Sequence, residues 1–217
     1  MAAYLIFAGT FLVLAIGRFP GLRVDRAGAA IVGASLMVAS GVLRFDEALR
    51  AVDWATIVLL LGMMIVVANL HLSGFFRLVA ARVVEHAHSP KMLLAGIVAV
   101  SGVMSAFFVN DTMCLVLTPL VVHVTLELRR NPVPYLLAVA LAANAGSVAT
   151  ITGNPQNMMI GALSGIPYPR FAAALAPVAA FSLALTWAVL VVVFREEFSF
   201  GRFDRVDVGR IRVNRPM

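Results

Sequence analysis

Residues 92–126 constrain this chain more than any other feature. They are a nearly continuous run of Leu, Val, Ala, Met, Phe and Gly with Asn110, Asp111 and Thr112 near the centre. Other polar positions in the run include Ser101, Ser105, Thr118 and His123. An ionised carboxylate at the middle of a bilayer costs roughly 3 kcal/mol or more unless it is paired, protonated or wet. A chain carries one there only where it faces a cavity or a neighbouring protein surface. The run is too long for one straight helix and barely long enough for two crossings. Its polar centre therefore predicts a re-entrant hairpin, two half-depth helices meeting at a tip inside the protein where non-helical backbone is tolerated.

The remaining chain fits a membrane setting. It is 61% hydrophobic and 13% charged, with a mean hydropathy of +0.95. Soluble domains are about 45–50% apolar and about 25% charged. The expected fold is an all-α polytopic membrane protein with about five transmembrane helices, a re-entrant hairpin and a discontinuous helix. Apolar spans fall at 3–17, 27–43, 54–70, 92–126, 133–165 and 171–194. Three divisions are expected: N-terminal helices over 1–50, a hairpin and broken-helix unit over 51–194, and a polar cytoplasmic tail over 195–217. The first span lacks a basic leader and a cleavage site, so it reads as a retained helix. In 72–89, Phe75, Phe76, Leu78, Val79, Val83 and Val84 alternate with Arg77, Arg82, Glu85, His86 and His88. That pattern predicts an amphipathic helix in the interface plane, although a plain connecting helix has the same pattern. Cys114 is the only cysteine, so no intrachain disulfide forms.

The basic residues test the hairpin independently. If 92–126 returns to its own side and the N-terminus is outside, 14 of the 17 Lys and Arg residues lie inside, leaving only Arg44, Arg50 and Arg170 outside. A single crossing of 92–126 would reverse everything after it and place 7 inside against 10 outside. The positive-inside rule selects the hairpin, in a bacterial-type cytoplasmic membrane with the C-terminus inside. The net charge of +6 is scattered between apolar spans and builds no basic stripe with interleaved aromatics, so nucleic acid is excluded as a partner.

A second interruption follows at Thr150-Ile151-Thr152-Gly153-Asn154-Pro155-Gln156-Asn157. Pro155 removes a backbone donor and disfavours helix at Asn154, and Gly153 tolerates nearly any backbone angle. A helix broken in this way exposes carbonyls at one half and N–H groups at the other, ready-made sites for cations and anions. A structural kink is the competing reading. The polar side chains of Thr152, Asn154, Gln156 and Asn157 around the break favour a site. Asp111 also has a plainer role available, since it or Asn110 could cap the second hairpin arm.

At these residues the chain resembles the ion-transporter superfamily of arsenical pump membrane subunits, citrate-transporter-like anion permeases and NhaD-type sodium/proton antiporters. The matching segments are Asp53-Trp54 leading into a span with Gly62, then Asn110-Asp111-Thr112 followed by Leu117-Thr118-Pro119. Asn144-Ala145-Gly146-Ser147 leading to Gly153-Asn154-Pro155-Gln156-Asn157 completes the set. The resemblance covers roughly residues 50–194. It implies one half, the N-terminal one, of an inverted-repeat transporter, whose other hairpin and broken helix come from a second half or a homo-oligomeric partner. It places Asn110 and Asp111 at the hairpin tip and Gly153, Asn154, Pro155 and Asn157 in the broken-helix loop. Dicarboxylate carriers of the superfamily show Ser-Asn-Thr at the tip, where this chain has Val109-Asn110-Asp111. The Asn-Asp pair is closer to the arsenical pumps.

The expected function is secondary-active transport of an inorganic or small organic ion, of the arsenite, oxyanion or carboxylate class. Asp111 would exchange H⁺ or Na⁺ while Asn110, Thr112, Thr152, Asn154 and Asn157 present neutral dipoles to the solute. No other cofactor is expected. Sodium/proton antiport and a non-transporting membrane subunit are the alternatives. His71, His86, His88 and His123 have no metalloprotease spacing, so neither an enzyme nor a metal site is expected.

Overall fold

The computed structural model describes residues 1–17 and 25–199, and the chain divides into two compact units, Met1–Trp54 and Ala55–Met217. Arg18, Arg23 and every basic residue beyond 199 that entered the charge tally lie outside the described residues.

In the first unit, α1 (Ala2–Ile16) packs against α2 (Arg26–Ala39). Gly33 of α2 sits directly on Thr10 of α1, where a Cβ would collide with the hydroxyl. Gly17 ends α1 at φ 81°, and Asp25 caps α2 by accepting from Gly28 N at 2.8 Å. A short helix, α3 (Phe45–Arg50), then lies beyond the apolar span of 27–43. Its first turn is held by Arg44 N donating to Glu47 Oε2 at 3.0 Å.

The second unit holds α4 (Trp54–Leu72), α5 (Phe75–His86), α6 (Pro90–Phe107), α7 (Asn110–Glu127), α8 (Pro132–Ser147), α9 (Pro155–Ser164), α10 (Tyr168–Val193) and α11 (Arg195–Ser199). Among the described residues, α4, α6 and α10 are long and apolar enough to cross a membrane. The helices α1, α2 and α8 are apolar but shorter. The hairpin is α6 and α7, joined across Phe108 and Val109, and the discontinuous helix is α8 followed by a 3-10 turn over Ile151–Gly153 and then α9.

Two expectations change in detail. Each hairpin arm has 18 residues. At 1.5 Å per residue that is about 27 Å, close to the full hydrocarbon thickness and well over half of it. The chain also turns one step before the polar triad. Val109 is the residue preceding α7, and Asn110 and Asp111 form its first turn. Neither side chain caps the helix, so the plain capping role for Asp111 is not realised.

The core forms where α6 and α8 cross. Small residues line this crossing, with Ala138, Ala142 and Ala143 of α8 fully buried against Ser101, Gly102 and Ser105 of α6. Gly146 rests on the backbone of Gly102, and Leu183 of α10 covers Gly102 from another side. Helices whose association gains nothing from excluding water associate through such close approach, because it maximises dispersion contacts. At the other end of α8, Tyr135 is wholly buried, stacks edge-on with Phe198 of α11 and reaches Glu197 Oε1 at 3.4 Å. Glu197 also faces Arg130 at 3.9 Å. The first residues of the expected tail are thus docked against α8. Helix α5 buries Phe76 and Val84 and seats Val83 on Gly96 of α6, while Arg77 and Arg82 stay exposed, as its amphipathic pattern implies.

Gly146→Leu should be the most disruptive single change at this crossing. Its side chain has no room beside the Gly102 backbone. A loss of about 3 kcal/mol, the upper end of overpacking costs, is expected in denaturant unfolding of the detergent-solubilised chain. Gly62→Leu is the control, because nothing lies within 4 Å of a Cβ at that position.

Candidate functional site

Two chain interruptions meet at the end of the α6–α8 crossing. On the hairpin side, α6 stops at Phe107 because Phe108 turns to an extended conformation. On the broken-helix side, α8 stops at Ser147 and the backbone becomes extended at Thr150 and again at Asn154. The two are tied directly. Thr150 Oγ1 donates to the carbonyl of Ala106, and Thr152 Oγ1 lies 3.5 Å from the same oxygen. Asn110 Nδ2 donates to Asn144 Oδ1 at 2.8 Å, joining residues 34 positions apart. The hydroxyls of Thr150 and Thr152 are 3.3 Å apart, and Tyr168 of α10 adds its hydroxyl 3.2 Å from Thr152.

The loop is knitted internally by its asparagines. Asn154 Oδ1 accepts from Asn157 N at 2.8 Å, capping α9, with Pro155 at the first helical position where a missing donor costs nothing. Asn157 Nδ2 points back at three carbonyls, those of Ser147 at 3.3 Å, Val148 at 3.3 Å and Thr150 at 2.8 Å. Asn154 Nδ2 reaches Ser147 O at 3.5 Å and Ser147 Oγ at 3.4 Å. Gly153 packs on the Ser147 carbonyl so tightly that any Cβ would overlap it.

The eight residues singled out from sequence therefore separate by position. Asn110, Thr152, Gly153, Asn154, Pro155 and Asn157 all lie at the junction of the two interruptions. Asn154 and Asn157 direct their amide donors into the loop itself, a structural duty that sequence reasoning did not foresee. Asp111 is exposed and sits in the first turn of α7, where a negative charge complements the helix dipole. Thr112 is half-buried beside it. Two polar atoms nearby are buried with no hydrogen-bond partner, Asn110 Oδ1 and Ser105 Oγ. Thr150, Asn144, Ser147 and Tyr168 also lie at the junction, although the sequence alone does not single them out. Asn144 and Ser147 stood within a matched segment, but their pairing has no local signature. Among the described residues, no group of His, Cys, Asp and Glu is arranged to hold a metal.

Comparison with known proteins adds an independent line. The family described as citrate transporter matches residues 9–207. A silicon efflux transporter, LSI3, of Oryza sativa subsp. japonica is 32% identical over 205 residues, covering 93% of this chain and 42% of its own length. A Dictyostelium discoideum protein named provisionally as transporter arsB is 33% identical over 150 residues, covering 69% of this chain and 27% of its own. The inner membrane protein YbiR of Escherichia coli is 35% identical over 130 residues, covering 59% of this chain and 35% of its own. The chain thus spans less than half the length of these relatives.

Asn157→Ala should loosen the loop, because three carbonyls lose a shared donor. A destabilisation of about 1–3 kcal/mol is expected. Limited proteolysis or cysteine labelling at 150–154 should show the loop opening first. Unchanged protection there would mean that the amide contributes nothing to the break.

Proposed function

The chain is an integral membrane protein of the citrate transporter family, and from that premise we propose that it builds one side of the solute site of a secondary-active ion transporter. Its solute is an inorganic oxyanion or small carboxylate, coupled to H⁺ or Na⁺. The observation carrying this reading is the junction itself. Thr150 and Thr152 bind the last turn of α6, Asn110 binds Asn144, and Asp111 stands exposed at the same junction. With the turn inside the protein, as the resemblance implies, its exposed carboxylate needs a partner other than lipid. A second half or a second copy would cover it, closing a polar cavity between two surfaces that are each apolar elsewhere.

Within that cavity the roles divide by charge. Asp111 takes the coupling cation, and its neutralisation removes the repulsion that a bare carboxylate would exert on an anion. Asn110 Oδ1, buried and unpartnered, offers an acceptor to a cation or to a protonated solute. The N-terminal turns of α7 and α9 carry the positive ends of their helix dipoles and favour the anion. The names of the relatives, a silicon exporter and an arsB transporter, agree with oxyanions or their neutral acids more than with large organic anions. Exposure of Asp111 also favours a second reading, in which Na⁺ or H⁺ is itself the cargo of an antiporter.

Asp111→Asn separates these cases. In proteoliposomes under a pH or sodium gradient, the variant should lose gradient-driven arsenite, silicic acid or citrate flux by about tenfold or more, since a contact to a charged group is worth roughly 1.5–3 kcal/mol. Unchanged coupled flux would reject the coupling role. Sodium-dependent proton movement without any of these solutes would select the antiporter, and silence from the wild type would assign a non-transporting subunit.

A further inference from the structure

Away from the junction, α5 and α6 enclose a groove of about 760 Å³. Leu78 and Val79 of α5 and Met92 of α6 form its walls, and Ala95, Gly96 and Ala99 form its floor. The side chains of Ala95 and Ala99 are small, which leaves room along α6. Its lining is almost wholly apolar apart from Arg82 and His86, which lie one helical turn apart on α5. Arg82 is largely exposed and, among the described residues, pairs with Glu85 at 3.8 Å across open surface, a weak and readily exchanged pair. His86 directs Nδ1 at the Arg82 carbonyl, 2.8 Å away, leaving Nε2 as the remaining polar atom of its ring.

The groove can be placed relative to a bilayer. Helix α5 is amphipathic, the kind of helix that lies at the boundary between headgroups and acyl chains. Trp187 of α10 donates its indole N–H to the Lys91 carbonyl at 3.1 Å, beside the start of α6, and tryptophan of this kind marks the same boundary. Over residues 75–91, Arg77, Arg82 and Lys91 outnumber the single carboxylate of Glu85. An apolar slot that opens beside basic groups at headgroup depth complements one molecule well, an amphiphile with a hydrocarbon chain and a phosphate.

We propose that this groove is a binding site for an anionic phospholipid, with one acyl chain along Ala95 and Ala99 and its phosphate on Arg82 and His86. A protein partner of the same chemistry would need an acidic group beside an apolar helix, which makes it an outcome of the test below. The site is separate from the solute junction, so its failure leaves the transport reading intact.

Native mass spectrometry of the full chain, stripped of lipid and titrated with dioleoyl lipids, decides the matter. Phosphatidylglycerol should be retained well above phosphatidylcholine. Arg82→Ala, a surface change that leaves the core alone, should weaken its retention about fivefold, the effect of one basic side chain near an anionic surface. Ala99→Phe, at an exposed position on the groove floor, should abolish retention of phosphatidylglycerol. Thermal unfolding in lipid-free detergent checks that this variant is folded. Equal retention of the two lipids, retention that survives Ala99→Phe, or full competition by inorganic phosphate alone would overturn the proposal. So would a second protein chain occupying the groove in place of lipid.

Discussion

Backbone polar groups set free by a broken helix must be satisfied inside a membrane protein, and the rest of the second unit is organised around that need. When α8 stops at Ser147, the carbonyls at its end lose their helical donors. Asn157 answers with one amide aimed at those of Ser147 and Val148 and at the loop carbonyl of Thr150, and it can reach back because the chain turns at Gly153 and restarts at Pro155. The hairpin faces the same problem at the end of α6, and there the Ala106 carbonyl is met by Thr150 from the other interruption. The second break thus supplies the donor that the end of α6 lacks. The close crossing at Gly102 and Gly146 holds both at the distance where this exchange works.

This satisfaction of the backbone by the 150–157 loop divides the polar side chains into two sets. Asn154, Asn157, Thr150 and Ser147 hold the backbone in place. Asn110, Asp111 and Thr112 stand at the start of α7, and of these only Asn110 is tied to another helix. Rigid support behind a thinly engaged front is the arrangement a binding site needs. In the proposed site the supporting shell fixes geometry, and the presenting groups would keep polar atoms for a ligand.

Much of this was legible in the sequence, for identifiable reasons. The helices of 54–70 and 171–194 follow from hydropathy, and the second break follows from Gly153 and Pro155, whose effects are local and strong. The meeting of the hairpin turn with the 153–157 loop was implied only by the family resemblance, since neither polar cluster carries a local sign of the other. The length of the hairpin arms was not legible, because hydropathy places the polar centre but not the turn. Val109 and Phe108, both good strand formers, carry the extended backbone one step earlier. Nor was the pairing of Asn110 with Asn144, since a bond across 34 residues depends on how α6 and α8 cross. The duty of Asn157 was hidden for the same reason. An amide reads identically in sequence whether it faces a solute or a carbonyl.

The placement of a full charge at position 111 and a neutral amide at 110 follows from these packing constraints. Asn110 is half-buried and faces α8, where Asn144 meets it. A carboxylate there would be desolvated against an amide oxygen and the apolar core of Met113 and Leu117. One residue on, the helix has turned by about 100°, so Asp111 points away from α8. It keeps the favourable end of the α7 dipole without entering the core. The charge therefore occupies the one position of the first turn where it is both electrostatically supported and open to whatever completes the site. Exchanging the two residues would keep the composition of the tip while burying the charge against Asn144 and leaving the exposed position neutral. The order Asn-Asp, rather than the mere presence of both, is what the proposed ion-handling role of this hairpin requires.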